Sequence, residues 1–562
     1  MRMKISKFAI LSQQWGLPGV LITLLMFPSL FLFGQKGTPL NPAVPQALYL
    51  LETEQTRKAL AELEQAVMAN PLESSLLYYL GYAQIKTGDR TKALASFNKG
   101  VEVNDKEPLN YVGIGWVDLL EKKTEDAKIQ FDKALSMTRS KNVAVIKGIA
   151  EADLVDNKYS VDAISLLNKV KSSNDTDPDV QILLGDTYLI QNSGGNVGQA
   201  VSSYENAIAI KVLDAKAKSH SDAKAYFRIG TVFQKSKNNE VAQENFIKSI
   251  KADSNYTPSY GELGEIYYLN KEAEKAVKTY KKYLSLTENP ENPQYQYQYA
   301  FFLFMAKDYK KANDVFSKIA DAKNVTVTTL RFYAVSLFNN DDFKKSREIS
   351  ERYFAKAKPE DIEANDYMYY GKSLLKLKQD SLAALALQKS LDLNKNQPDV
   401  LQLLGGAYSK AKKFGQAVAC YKQLMVLHKT PFASDYFLIG VAYYNNNQFE
   451  QADSSFVKLI EMQPKRIEPY AWLARTKANE EEARKEPGLA KPYFEKVMEL
   501  AAGSDKNKRE LIESYNYLSY YYYDKKDYPT AKSIYEKWLA IDPNNKQVTD
   551  ALETLKKIEA KK

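Results

Sequence analysis

The sequence holds one cysteine, Cys420, and two histidines, His220 and His428, in 562 residues. A single cysteine excludes an internal disulfide and any CxxC metal or redox motif. Two histidines so far apart argue against a histidine-rich metal site. There is no HExxH, GxSxG or GxxxxGK[ST] run, so the usual signatures of zinc peptidases, serine hydrolases and phosphate-binding loops are missing. No cofactor or metal is expected. The formal charge of +9 is interleaved along the chain with no Lys/Arg stripe to track phosphates, which makes nucleic acid a poor partner. The glycines of SGGNVGQ (Ser193–Gln199) and GIGWVD (Gly113–Asp118) follow no strand pattern and read as loop and helix-packing glycines.

Long apolar runs are equally scarce. The one that exists, Gly16 to Phe33, follows the basic MRMKISK and is followed by polar GQKGTP. That order is the layout of a signal peptide over residues 1–34, with cleavage near Gly34 or Gln35. Pro18, Pro28 and a length marginal for about 30 Å of hydrocarbon argue against a permanent span. Leu32, larger than the residue usual three before a cut, keeps an uncleaved N-terminal anchor as the alternative. The mature chain is expected to be exported, and periplasmic or cell-envelope associated.

A repeat is what the sequence does contain. In FEQADSSFVKLIEMQP (Phe449–Pro464) an aromatic leads an alanine by three, a second aromatic follows it by four, and a proline closes the run. Aligned on that alanine, fourteen anchors appear: Ala59, Ala93, Ala127, Ala163, Ala200, Ala242, Ala276, Ala312, Ser346, Ala383, Ala417, Ala452, Ala490 and Ala531. Most steps are 34 to 38 residues, a period that signals stacked two-helix repeats. A small residue sits twelve before many anchors, as at Gly81, Gly115, Gly230, Gly405 and Gly440. A bulky one sits four after, as at Phe97, Phe131, Phe246, Tyr421 and Phe456. The i, i+4 spacing puts anchor and bulky side chain on one helical face, leaving room for a partner helix.

With these residues the chain resembles the tetratricopeptide-repeat family. The match is fullest over Ile512–Asn545 (Tyr515, Leu518, Tyr522, Tyr528, Ala531, Tyr535, Pro543) and from Ala433 (Tyr436, Ile439, Gly440, Tyr443, Phe449, Ala452, Phe456, Pro464). The resemblance implies an all-α, right-handed solenoid of about thirteen to fourteen helix–turn–helix repeats. It divides as an N-terminal array over 40–211, a C-terminal array over 223–545, and a capping helix over 546–562. The first repeat is poorly marked before Ala59, and Ser346 and Ser519 stand where the pattern has small apolar residues. Cys420 reads as a core thiol, the two histidines as surface or cap residues, and the run Glu480–Glu482 as solvated.

In such arrays the first helices line a concave groove, and the family's phase carries over to particular residues. The groove would be lined by Tyr78, Tyr82, Val112, Trp116, Phe227, Tyr268, Tyr297, Phe301, Phe304, Arg331, Phe338, Met368, Lys372, Phe437, Tyr444, Tyr520 and Tyr523. Tyr82, Trp116, Phe301 and Tyr520 occupy the phase least explained by helix packing, although packing accounts for aromatics there too. Tyrosine and tryptophan bury large area at low entropy cost. The implied function is a non-enzymatic scaffold holding an extended peptide or a partner helix, with Arg331 and Lys372 open to acidic groups. The alternative is a glycan or cell-wall binder that stacks sugar rings on the same aromatics.

Overall fold

The structure, a computed structural model, describes residues 40–155, 160–173, 177–191, 196–501 and 505–559. The signal-like segment 1–34 and the glycines Gly194 and Gly195 lie outside the described residues. Among the described residues there are 29 α-helices and no strand. They form fourteen successive helix pairs, from Ala43–Glu52 with Thr56–Ala69 to Lys508–Asp524 with Tyr528–Ile541, and then the single helix Lys546–Glu559. The chain is thus an α-solenoid. The poorly marked first repeat has a complete first helix, with Val44, Leu48 and Leu51 buried.

The spacing of small and large residues does what it promised. All fourteen anchors are at most 1% exposed. A Cβ placed on Gly81 would lie 2.5 Å from the Phe97 ring, on Gly230 2.6 Å from Phe246, on Gly405 2.5 Å from Tyr421 and on Gly440 2.7 Å from Phe456. Ordinary carbon contact needs about 3.5–4.0 Å, so glycine lets one helix seat the bulky side chain of its mate. Phe97 also meets Gly113 of the following pair, where a Cβ would lie 2.4 Å away. The GIGWVD glycines therefore serve packing. At Ser346 the hydroxyl donates to the Ala334 carbonyl at 2.8 Å and lies 3.0 Å from the Ser373 hydroxyl, so the polar anchor is satisfied within the core.

Turns within pairs share one device. Lys122, Lys237, Lys271, Lys307, Lys378, Lys412 and Lys526, with Asp341 and Asn447, adopt φ between 58° and 65° just after the first helix ends. That left-handed residue reverses the chain, and in four of these turns an Asp or Asn (Asn238, Asp308, Asp342, Asp527) then caps the second helix. Asp89 accepts from the Lys92 amide at 3.1 Å and Asp342 from the Lys345 amide at 3.1 Å, satisfying donors a helix start leaves open. Near the C-terminus, Ala478–Pro492 is taken up by lengthening one helix to Ile467–Arg484. Glu481 pins the loop that follows, accepting from the Gly488 amide at 3.0 Å and the Tyr517 hydroxyl at 2.6 Å. Glu480 lies 3.2 Å from Lys477 and is buried. This acidic run is tied down rather than simply solvated. The final helix buries Val548 and Leu555 and covers the apolar end of the last pair, as a solenoid end requires.

The chain separates into two compact bodies, one ending at Ile319 and the other beginning at Ala320. Helix Ala215–Lys235 runs unbroken through the stretch where the sequence suggested the division.

Candidate binding faces

In the N-terminal body the first helices carry a second pattern besides the aromatic one. Lys147, Glu151, Asp179, Asp186, Lys224 and Arg228 project from first helices and are all buried. They pair with one another or with nearby groups. Lys86 meets Glu151 at 2.7 Å, Lys147 meets Asp177 at 2.8 Å, Arg228 meets Asp186 at 2.9 Å, and Lys224 meets Glu52 at 2.9 Å and Asp179 at 3.1 Å. The Tyr82 hydroxyl donates to Glu151 at 3.0 Å, and the Tyr204 hydroxyl to Asp186 at 2.8 Å.

Several contacts bring the start of the body against pairs some 170 to 230 positions later. His220 is held between Glu52, in close contact with Nε2, and Asp253, 3.1 Å from Nδ1. Burial alone would lower its pKa, but the two carboxylates outweigh burial and hold it at about 9. The Tyr283 hydroxyl donates to Glu54 at 3.1 Å. Glu288 accepts from the backbone amides of Arg57 and Lys58, each at 2.9 Å, at the N-terminus of helix Thr56–Ala69. A carboxylate there meets open amides and the positive end of the helix dipole.

Closure changes the status of the sequence candidates. Tyr78, Tyr82, Val112 and Trp116 are 0% exposed and Phe227 2%. They are sealed inside the body, with Tyr82 and Trp116 edge-on at 5.6 Å and Lys86 4.7 Å from the Trp116 ring. His220, expected at the surface or in a cap, is buried inside helix Ala215–Lys235, where Glu52 and Asp253 supply its partners. Later in the same body the face opens: Phe301 is 6% exposed, while Tyr268, Tyr297 and Phe304 are half-buried. Tyr268 and Phe301 meet edge-on at 5.2 Å, and Tyr297 stacks on Phe301 at 6.2 Å.

In the C-terminal body Arg331 is not open to an outside anion. Its guanidinium donates to the Tyr353 hydroxyl at 2.7 Å, to Asp366 at 3.0 Å, to Glu363 at 3.4 Å, and to the Asp361 carbonyl. Lys372 is half-buried, 5.5 Å from the Tyr369 ring centre, and burial lowers its pKa. Met368 is buried. Phe338, Phe437, Tyr444 and Tyr523 are half-buried, and Tyr520 is 70% exposed. Tyr444 meets Trp472 edge-on at 5.3 Å, and its hydroxyl accepts from Asn479 at 3.0 Å. Of the four sharper candidates, only Tyr520 is presented freely to solvent.

The cysteine and the second histidine serve packing and capping. Cys420 is buried and burial pushes its thiol up to about 11, the reverse of an activated nucleophile. His428 follows helix Phe414–Leu427 as its cap, with Nδ1 2.7 Å from Asp435. Among the described residues no group of three His, Cys, Asp or Glu side chains could hold a metal ion, and no helix is long and apolar enough to cross a membrane.

Tetratricopeptide-repeat family models match residues 44–107, and again 223–256, 257–290 and 436–466. Superkiller protein 3 of Schizosaccharomyces pombe is 21% identical over 333 residues, which is 59% of this chain and 21% of that protein. The chain thus spans about a fifth of that relative's length. A TPR repeat-containing protein of Methanocaldococcus jannaschii is 22% identical over 404 residues, 67% of this chain and 68% of that one. Among solved structures, the C-terminal part of a TPR repeat-containing protein from Cytophaga hutchinsonii is 33% identical. It covers 46% of this chain and 99% of its own, with a TM-score of 0.40.

Proposed function

Since the chain belongs to the tetratricopeptide-repeat family, whose repeats generally mediate protein–protein interaction, we propose that it is a non-enzymatic scaffold with a protein partner. The partner lies as an extended segment or helix along the first helices of the C-terminal body. The observation that carries this reading is the set of partly exposed aromatics on two first helices of that body, Phe437 and Tyr444 on Ala433–Asn445 and Tyr520 and Tyr523 on Lys508–Asp524. Aromatic side chains bury about 150–250 Å² each when covered, and such residues dominate interface energetics. The sealed aromatics of the N-terminal body take no part. We further propose that the chain acts outside the cytoplasm, directed there by its basic-then-apolar first 34 residues.

Crosslinking in native envelope fractions, followed by capture of the full chain and of a Phe437→Ala/Tyr444→Ala/Tyr520→Ala variant, tests the site. Loss of a reproducible crosslinked protein in the variant supports it, and unchanged capture refutes it. Fractionation with N-terminal sequencing tests export. A mature N-terminus near Gln35 supports a cleaved signal, retention of Met1 in the membrane supports the anchored form, and a cytosolic full-length chain refutes export.

A further inference from the structure

Two neighbouring second helices of the C-terminal body, Asp380–Leu393 and Phe414–Leu427, differ from the others on their outer faces. Elsewhere those faces carry ion pairs one turn apart, such as Lys99–Glu102, Glu244–Lys248, Arg347–Glu351 and Lys458–Glu461. Among the described residues neither of these two helices has an ion pair along its length. Asp380 reaches only Lys410 of the helix between them, at 4.0 Å. They expose Leu382, Leu385, Leu393 and Val426 instead, the last of them 76% exposed. Single apolar residues on a surface need no explanation, but a cluster of them marks a contact site.

Between the two helices lies a trough of about 690 Å³, floored by Leu401 and Leu404 of helix Pro398–Lys410. Its volume is that of a small-molecule site. One wall is a single stripe of Phe414–Leu427, from Gln416 through Ala419, Cys420 and Gln423 to Leu427. That stripe runs about 16 Å along the helix axis, so the trough suits an extended chain better than a compact ring. Ala419 keeps it open, a small side chain at an exposed position where a longer one would reach across. Three charged residues line it: Asp392, Lys395 and Lys422. Asp392 accepts from the Gln388 amide at 3.0 Å. Lys395 and Lys422 are exposed at the rim and form no ion pair among the described residues, with Lys422 5.7 Å from the Tyr443 ring centre. An aliphatic floor with a surplus of positive charge at its rim matches an unbranched alkyl chain that ends in an anion.

We propose that this trough binds a free fatty acid, its alkyl chain along Leu401, Leu404 and Ala419 and its carboxylate among the rim lysines Lys395 and Lys422. The site is built mainly by second helices rather than by the first-helix aromatics of the scaffold reading, and stands independently of that reading. Cys420, the one cysteine of the chain, sits in the wall and is 7% exposed. Its access to a thiol reagent therefore reports whether the trough is filled.

The test labels Cys420 of the full chain with a maleimide, with and without dodecanoate kept below its micelle-forming concentration, and measures binding in parallel by calorimetry. At about ten times its dissociation constant, dodecanoate should slow labelling about tenfold. Shortening the chain to octanoate should weaken binding about two- to fourfold for each methylene removed. Dodecyltrimethylammonium, with the same chain and the opposite head charge, should bind about tenfold more weakly than dodecanoate or worse. Ala419→Leu should fill the trough and abolish binding, read by calorimetry because the larger side chain itself shields the thiol. Lys395→Gln/Lys422→Gln, at two exposed positions, should weaken dodecanoate about tenfold and leave dodecanol unchanged, which tests the head group should Ala419→Leu disturb the helix. Neither protection nor heat with dodecanoate overturns the proposal, as does equal binding of the anionic and cationic chains or a lysine variant that binds as the parent does. Unchanged binding by a folded Ala419→Leu chain overturns it too. Protection by phosphatidylglycerol vesicles with none by dodecanoate would make the patch a membrane-contact surface and overturn it as well.

Discussion

Gly405 and Gly406 are neighbours in helix Pro398–Lys410, yet alanine should act on them with opposite signs. At Gly405 the added Cβ would lie 2.5, 2.7 and 3.0 Å from three ring carbons of Tyr421. That is about 1 Å inside ordinary carbon contact. Tyr421 is 3% exposed and packed among Leu401, Leu404 and Leu424, so the ring cannot step aside. Overpacking of this kind costs about 1–3 kcal/mol, against which the helix gains about 1 kcal/mol from replacing glycine. Gly405→Ala should therefore destabilise by up to about 2 kcal/mol. At Gly406 the nearest atom is the Tyr421 hydroxyl, 4.0 Å away, and the propensity gain of about 0.5–1 kcal/mol stands alone. Because a long repeat array need not unfold in one step, the readout is native-state hydrogen exchange of helices Pro398–Lys410 and Phe414–Leu427. The cycle closes with Tyr421→Ala, which removes the clash and should turn Gly405→Ala stabilising in that background. Same-sign shifts at the two glycines, or no coupling between Gly405 and Tyr421, would refute the packing argument.

Other substitutions probe different links. Lys271→Gly, at φ 65°, relieves a left-handed residue that costs about 1–2 kcal/mol, and after the added freedom of the unfolded chain should stabilise the body by about 0.5–1 kcal/mol; a lower urea midpoint would contradict this. Glu52→Gln leaves Lys224 and His220 short of a buried counter-charge, with Asp179 and Asp253 still in place. Exchange protection in the N-terminal body should fall by about 3 kcal/mol while the C-terminal body keeps its own, and equal loss in both would exclude a local effect. The pH response has one sign from three groups. Glu54 and Glu265 hold protons in the folded body up to about 7 and 8, so their contribution is complete below the usual carboxylate range and is lost as pH rises through those values. His220, raised to about 9, adds stability present below its ordinary value and lost as pH rises through 9. Urea midpoints of the N-terminal body should fall across this range, with Glu265→Gln flattening the lower part; a midpoint that climbs with pH would overturn the assignments.

The solenoid was legible because its rule is local: anchor, glycine and aromatic lie within sixteen positions of one another, and one helix period decides which side each takes. The closed interior was not. Phase places Lys147, Glu151, Asp179 and Asp186 on the inner side of their helices, but not how tightly the array curls. Curl is the sum of small rotations between pairs, and its outcome, Glu52 against His220 and Glu54 against Tyr283, joins residues too distant for any local pattern. Glu151 and Asp186 stand in the phase that holds Tyr82 and Trp116, and reading that phase for charge as well as for aromatics would have found them. Arg331 was misjudged for a related reason, since its partners come from Tyr353 and from the short turn at Pro359–Asp361, a junction no repeat consensus describes.

The cap that Glu288 places on helix Thr56–Ala69 spans 231 positions of chain. During synthesis at about 5–20 residues per second, that carboxylate emerges roughly 10–50 s after the helix it completes. Each hairpin can fold as it leaves the ribosome, but the opening helices wait with bare amides and an uncovered flank. A nascent chain of this protein is thus most vulnerable to premature association at its oldest end, until its own later sequence arrives to cover it.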